Sequence, residues 1–258
     1  MKTSILVVMV IAAVFLVSAA LFVSREGRFS SSYAAPPEAP APRQSSGQSL
    51  TYNFDNDSAG TMPAKFQGAR TGQGSEGKWV VMADATAPSK PNVVAQTSTD
   101  KTDYRFPLLI SDEGSFKDLE LSVKFKAVGG EVDRAAGLVF RLKDANNYYI
   151  VRANALEDNY RLSHVINGSR RQFAGANFKV TSGEWHELKV ECAGNKIICY
   201  FDGMKKIEAK DDTFQDAGKI GLWTKADFGD VLRRFKSRSE VARQEVRYEM
   251  DYTKRHQS

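Results

Sequence analysis

Three histidines and two cysteines leave this chain of 258 residues short of the usual material for nucleophilic or metal chemistry. No phosphate-cradling glycine loop occurs, and no His–Cys cluster has metal-site spacing. No apolar 3.6-residue periodicity runs through residues 50–228, so an amphipathic helical domain is excluded there. Also missing is any basic excess in the body of the chain. The formal charge of +5 comes from the ends. Residues 1–49 carry four basic and two acidic side chains, residues 229–258 eight and five, and residues 50–228 twenty-four of each. A neutral body lacks the electrostatic footprint that nucleic acid demands, so no nucleic-acid partner is expected.

What is present falls into four textures. Ile5 to Val23 is a run of 19 residues without a charge, preceded by Lys2 and the amino terminus. As a secretory signal it would use Ile5–Leu16 as its apolar region and Val17–Ser18–Ala19 as a cleavage site. As a retained membrane anchor it would use the whole run, which at about 1.5 Å per residue approaches the ~30 Å hydrocarbon core. The anchor is favoured because Leu21, Phe22 and Val23 continue the run, and both readings make the chain exported. Residues 25–49, rich in Pro, Ala, Ser and Gln, read as an extended spacer. Residues 50–228 carry many short strands separated by Gly, Pro, Asn and Asp, which argues a two-sheet antiparallel sandwich of the jelly-roll kind. Residues 229–258 are highly charged and read as a solvated helix or frayed tail.

Within the sandwich, Gly137 to Asn154 (GLVFRLKDANNYYIVRAN) is the most informative stretch. Two alternating runs flank the polar break Lys143–Asn147, as expected of a hairpin. Strict alternation puts Leu138, Phe140 and Leu142 on one face and Val139 and Arg141 on the other. On the return strand Tyr149, Val151 and Ala153 oppose Ile150, Arg152 and Asn154. One face is then purely apolar and the other carries two arginines and an asparagine.

A larger set of residues carries a resemblance. It comprises AAGLVFRLKDANNYY, VRANALEDN, SGEWHELKVE, GNKIICYFDG and DDTFQDAGKIGLWTKAD. Together they resemble exported bacterial domains of the concanavalin A-like lectin/glucanase superfamily, grouped with 3-keto-disaccharide hydrolase-like, family-16 glycosidase-like and laminin-G-like domains. The resemblance implies an all-β, concanavalin A-like sandwich over residues 50–228, one concave face and a preference for carbohydrate. It does not choose between lectin, glycosidase and adhesion module. Similar proteins commonly continue after GLWTKAD as SVTYFDDF, the closing strand, where this chain reads Phe228-Gly-Asp-Val-Leu-Arg-Arg-Phe235. Codons for the former, read one base out of phase, give nearly the latter. Residues 228–234 are therefore read as a local frameshift that an unambiguous in-phase resequencing would refute. As written, Arg233 and Arg234 stand where relatives carry acids, and a cation site using those acids would be lost.

Glycosidases need two carboxyl groups, about 5–5.5 Å apart when retaining and about 6.5–9.5 Å when inverting. Related glucanases supply them as Glu-x-Asp-x-Glu or Glu-x-Asp-x-x-Glu. Here Glu131–Val132–Asp133 is followed by Ala135 and Ala136, so the second glutamate is missing. Glu131, Asp133, Glu157 and Asp158 accordingly read as solvated turn residues. His186 reads as structural or surface, His164 as lacking a partner, and Cys192 and Cys199 as buried free thiols. Asp55 and Asp57 offer hard oxygens for a structural calcium ion, against the plainer reading of an Asx turn. The strand Lys219–Lys225 should point Ile220, Leu222 and Thr224 to the core, leaving Trp223 and Lys225 on the other side. The candidate ligand site is therefore Arg141, Arg152, Asn154, Trp223 and Lys225 on one concave face. The expected function is an exported, non-catalytic glycan-binding module, membrane-tethered through residues 1–24. The alternatives are a glycoside hydrolase-like enzyme and a laminin-G-type protein-interaction module.

Overall fold

The computed structural model describes residues 49–88, 91–227 and 230–239. The expected anchor, spacer and charged tail lie outside the described residues, apart from the start of the tail. No helix among the described residues is long and apolar enough to cross a membrane.

Fifteen strands make up the described part. The first six are β1 (Ser49–Tyr52), β2 (Phe66–Gly72), β3 (Trp79–Ala83), β4 (Asn92–Gln96), β5 (Arg105–Ser111) and β6 (Leu119–Ala127). Next come β7 (Ala135–Asp144), β8 (Asn147–Asn154), β9 (Asn159–Ile166), β10 (Ser169–Asn177) and β11 (Trp185–Ala193). The last are β12 (Lys196–Phe201), β13 (Met204–Lys210), β14 (Lys219–Thr224) and β15 (Asp230–Ser239). A back sheet has the order β13-β12-β11-β6-β15-β4-β3, with β1 on β15, and a front sheet has the order β10-β9-β8-β7-β14-β5-β2. The pairings are antiparallel, as in a two-sheet sandwich.

Alternation builds the core between the sheets. Leu119, Leu121, Val123 and Phe125 of β6 face Leu138 and Phe140 of β7, Val151 of β8 and Leu222 of β14 across one buried cluster. Each fully buried side chain of this size contributes about 1.5–3 kcal/mol of hydrophobic stabilisation. Cys192 and Cys199 are buried there as free thiols. In register Cys192 opposes Ile197 and Val190 opposes Cys199, so the two cysteines are only diagonal neighbours. Asn167–Gly168 and Asp202–Gly203, all at positive φ, close tight two-residue hairpins between β9 and β10 and between β12 and β13.

Two elements depart from expectation. β2 was not anticipated, because FQGARTG shows no alternation and contains two glycines. The sandwich also runs past residue 228. β15 pairs along nearly all of β6 and puts Leu232 and Phe235 in the core, with Phe235 stacked on Tyr52 at 5.8 Å. A register shift between Arg233 and Lys236 marks a bulge in this strand.

The front sheet is curled enough to bury both its faces. Its second face carries Phe106, Leu108, Val139, Tyr148, Ile150, Val165 and Trp223 in a separate apolar cluster. The Thr71 hydroxyl on edge strand β2 bonds Tyr148 at 2.8 Å and also the Ala145 carbonyl on the β7–β8 turn. Tyr104, just before β5, donates to the Gly168 carbonyl at 3.0 Å and accepts from the Arg170 amide at 3.1 Å. Side chains from one flank of the sheet thus reach turns on the other.

Candidate functional site

The site grows around a glycine in the front sheet. Trp223 on β14 and Arg152 on β8 both lie opposite Gly137 on β7, one on each side. A Cβ at Gly137 would fall 2.5 Å from Ile150 Cδ1 and 2.8 Å from the Val151 carbonyl oxygen. Only glycine fits, because Ile150, the Val151 carbonyl and the Arg152 stem already fill the space a side chain would take.

One step further along, Ala135 pairs with Asn154. Extending that register by two residues brings Asp133 above the strand end, against expectation. It is 1 % exposed, not a solvated turn residue. Its Oδ1 accepts from Asn154 Nδ2 at 3.0 Å, and its Oδ2 pairs with Lys225 Nζ at 2.9 Å. Burial pushes the Asp133 carboxyl above its ordinary range, with Lys225 acting in the opposite sense. Lys225 also pairs with Asp103 at 2.7 Å. Burial opposes its charge, but the two carboxylates outweigh burial and raise its pKa.

Arg152 completes the cluster. Nη1 donates to Asn159 Oδ1 at 3.0 Å, Nη2 lies 3.4 Å from Glu157, and Asn159 donates to Glu157 at 2.8 Å. Burial lowers the Arg152 pKa, and the nearby charge of Arg170 lowers it further. For Glu157, burial is outweighed by the Asn159 hydrogen bond and the Arg152 charge, which hold its carboxyl below the usual range. Asn154 Oδ1 caps the turn beneath by accepting from the amides of Leu156 and Glu157.

Two buried anchors fix the rim. Arg105, fully buried, donates to the carbonyls of Ser75, Glu76 and Ala226 and to the Ser98 hydroxyl, tying three loops together. The Asp227 carboxylate accepts from the amides of Glu131 and Val132, fixing the loop that presents Asp133.

Of the five residues expected on this face, the structure brings together Arg152, Asn154, Lys225 and Trp223. Arg141 is elsewhere. A bulge between Phe140 and Asp144, with Arg141 at φ +47°, reverses the alternation. Leu142 therefore joins Val139 in the second-face cluster. Arg141 is fully buried and donates to the carbonyls of Lys117, Phe214 and Gly194. It pins loops, and the face carries one arginine from the hairpin instead of two. Trp223 is also not an open platform. It is fully buried, stacked on Phe106 at 5.3 Å, with the Arg170 guanidinium 5.7 Å from its ring.

Sequence reasoning missed Asp133, Asp103, Glu157, Asn159 and Arg170. Asp133 was within reach through the β7–β8 register, and Glu157 and Asn159 through their spacing from Arg152. Asp103 and Arg170 arrive by tertiary folding alone. Outside the site, His164 does have neighbours, with Nδ1 3.2 Å from the Thr213 hydroxyl and 3.7 Å from Asp211. His186 is held by Asp202 at 2.7 Å and the Thr181 carbonyl at 3.1 Å. Asp55 and Asp57 accept backbone amides of Asn92 and Ala64 and so shape their loop. Among the described residues, no group of three or more His, Cys, Asp or Glu side chains is gathered for a metal.

The 3-keto-alpha-glucoside-1,2-lyase-like domain model matches residues 54–236. No curated protein matches the chain. Among solved structures, the carbohydrate-binding module CBM66 from Bacillus subtilis is 21% identical, with a TM-score of 0.52 over 62% of this chain and 95% of that one. A Bacillus subtilis protein of unknown function with a galectin-like fold is 13% identical, with a TM-score of 0.52 over 73% and 94%. The VIP36 exoplasmic/lumenal domain in a Ca2+/Man-bound form is 14% identical, with a TM-score of 0.51 over 73% and 88%. At these identities the likeness is one of fold, the two-sheet concanavalin A-like sandwich.

Proposed function

The chain belongs to the 3-keto-alpha-glucoside-1,2-lyase-like domain family, and we propose that it is a non-catalytic saccharide-binding module. The ligand lies across the end of the front sheet where Arg152, Glu157, Asn159 and Lys225 meet. The observation that carries this reading is the convergence of the planar hydrogen-bonding groups of Arg152 and Asn159 beside half-exposed Glu157, on a rim fixed by two buried anchors. Such groups recognise sugar hydroxyls when they are held still. Binding is preferred to turnover because both oxygens of Asp133 are already engaged, by Asn154 and Lys225. The uncharged run Ile5–Val23 supports a location outside the cytoplasm, which a fusion of residues 1–49 to an export-dependent reporter tests.

The direct test is calorimetric titration with an oligosaccharide panel, comparing wild type with Arg152→Ala. Glu157 is about half exposed, with its side chain at 49%, so losing its partner leaves no sealed charge. A hydrogen bond to a charged group contributes about 1.5–3 kcal/mol, so affinity should fall by about tenfold or more. The melting temperature should fall by a few degrees, because the buried Asn159 oxygen loses its donor. Unchanged affinity would end the proposal.

A second reading is favoured by one observation, the raised pKa of Asp133 beside the Lys225 ammonium. The hydrogen next to the ketone of a 3-keto-glucoside is acidic. A carboxylate base could take it as the C1–O bond breaks, the departing oxygen receiving its proton from Lys225. Release of free sugar from a 3-keto-α-glucoside, lost in Asp133→Asn with binding retained, would establish this reading; no release would exclude it.

A further inference from the structure

Arg170 is the cation of this neighbourhood with no acid of its own. Lys225 is balanced by Asp133 and Asp103, and Arg152 by Glu157, whereas no ion pair reaches Arg170 among the described residues. Its guanidinium rests 4.6 Å from the Phe106 ring and 5.7 Å from the Trp223 ring, and its Nη1 is buried without a hydrogen-bond partner. Stacking on two aromatic rings fixes the plane of the group but leaves this donor unused. Arg152 and Trp223 flank Gly137 in register on the same face of the sheet. The Arg170 charge lies close enough to lower the pKa of Arg152, after the larger effect of burial. Since the body of the chain is neutral, no general positive field explains the pair.

We infer that the saccharide is acidic, with the carboxylate of a uronic-acid residue seated between Arg152 and Arg170. The inference rests on the saccharide-binding reading above. A carboxylate supplies the missing acceptor for Arg170 Nη1, relieves the repulsion between the two cations, and matches the fork geometry of a guanidinium already held in place. A neutral sugar hydroxyl would fill the same space without the charge.

The test pairs each member of a panel of uronic-acid oligosaccharides with its carboxyl-reduced counterpart, identical in linkage and length. Calorimetric titration against the wild-type chain should show an acidic member binding about tenfold more tightly than its reduced form, as expected for one charge-assisted hydrogen-bonded pair. The preference should shrink as salt is raised. Arg170→Gln should abolish the preference, so that acidic and reduced forms bind alike, and Arg170→Lys should keep part of it. Equal affinity for acidic and reduced forms in the wild type overturns the inference and leaves saccharide binding standing, as does a preference undiminished in Arg170→Gln. Binding of neither form overturns both. The wild-type comparison needs no variant to fold.

Discussion

Replacing Lys225 with methionine keeps the aliphatic stem and removes the charge that compensates Asp133. In the variant at neutral pH, a carboxylate 1 % exposed would keep one side-chain hydrogen bond, from Asn154 at 3.0 Å. Removing one partner of a buried ion pair costs about 3–5 kcal/mol. The surviving Asn154 bond argues for the lower end, about 3 kcal/mol. Loss of the Lys225–Asp103 contact adds little, because Asp103 is largely exposed. At ~2–4 °C per kcal/mol for a domain of this size, the melting temperature should fall by roughly 6–12 °C. The deficit must also depend on pH. Burial already holds the folded-state pKa of Asp133 above its ordinary value although Lys225 pulls it down, and removing Lys225 raises it further. Between the unfolded value of ~3.9 and the folded value, the folded state binds more protons. Stability therefore falls as pH rises through that window and levels off above it. The Lys225→Met deficit should be smaller at pH 4 than at pH 8. Urea unfolding across that range, on wild type, Lys225→Met and Lys225→Met/Asp133→Asn, checks both points. The double variant should recover most of the loss. An equal deficit at both ends of the range, or a double variant no more stable than the single, would refute the buried-pair account.

Two further outcomes follow from the packing. Gly137→Ala forces a methyl within 2.5 Å of Ile150 Cδ1 and 2.8 Å of a backbone carbonyl, so it should cost about 1–3 kcal/mol in urea unfolding; a neutral result would mean that the packing around Gly137 is looser than described. Burial, with a smaller push from Cys192, raises the Cys199 thiol far above its ordinary pKa. Both cysteines should therefore label with a thiol reagent only as fast as the domain unfolds, and faster labelling of the native protein would contradict their burial.

The parts of the fold legible in the sequence were those where side-chain alternation alone decides the face. On β14, Ile220 and Leu222 enter the core while Trp223 takes the other side, as period two requires. β2 was illegible because an edge strand can be carried by Gln, Gly, Arg and Thr with few apolar positions. β15 was hidden for a different reason. Its interval departs from the expected closing-strand pattern and leads into a charged stretch, so composition favoured a tail. In the fold, Leu232 and Phe235 suffice to seat the strand against β6. Two buried side chains and a ladder of backbone hydrogen bonds outweigh a charged composition when the neighbouring strands are already in place.

The site shows where alternation fails. Nothing in Leu138–Leu142 signals a bulge, and a non-glycine residue at φ +47° is locally unfavourable. What stabilises it is distant in sequence: three carbonyls, from Lys117, Gly194 and Phe214, converge on the Arg141 guanidinium. Those hydrogen bonds to a charged donor, about 1.5–3 kcal/mol each, exceed the roughly 1–3 kcal/mol of backbone strain. Tertiary acceptors therefore decide which face Arg141 takes, and a reading of the hairpin alone could only assign it to the wrong one. The same principle acts in reverse at Arg170. There the fold supplies aromatic faces and no carboxylate, so the guanidinium is positioned without being neutralised. Arg141, fully buried among its acceptors, serves architecture, while Arg170, positioned with a donor unspent, retains something to offer a ligand.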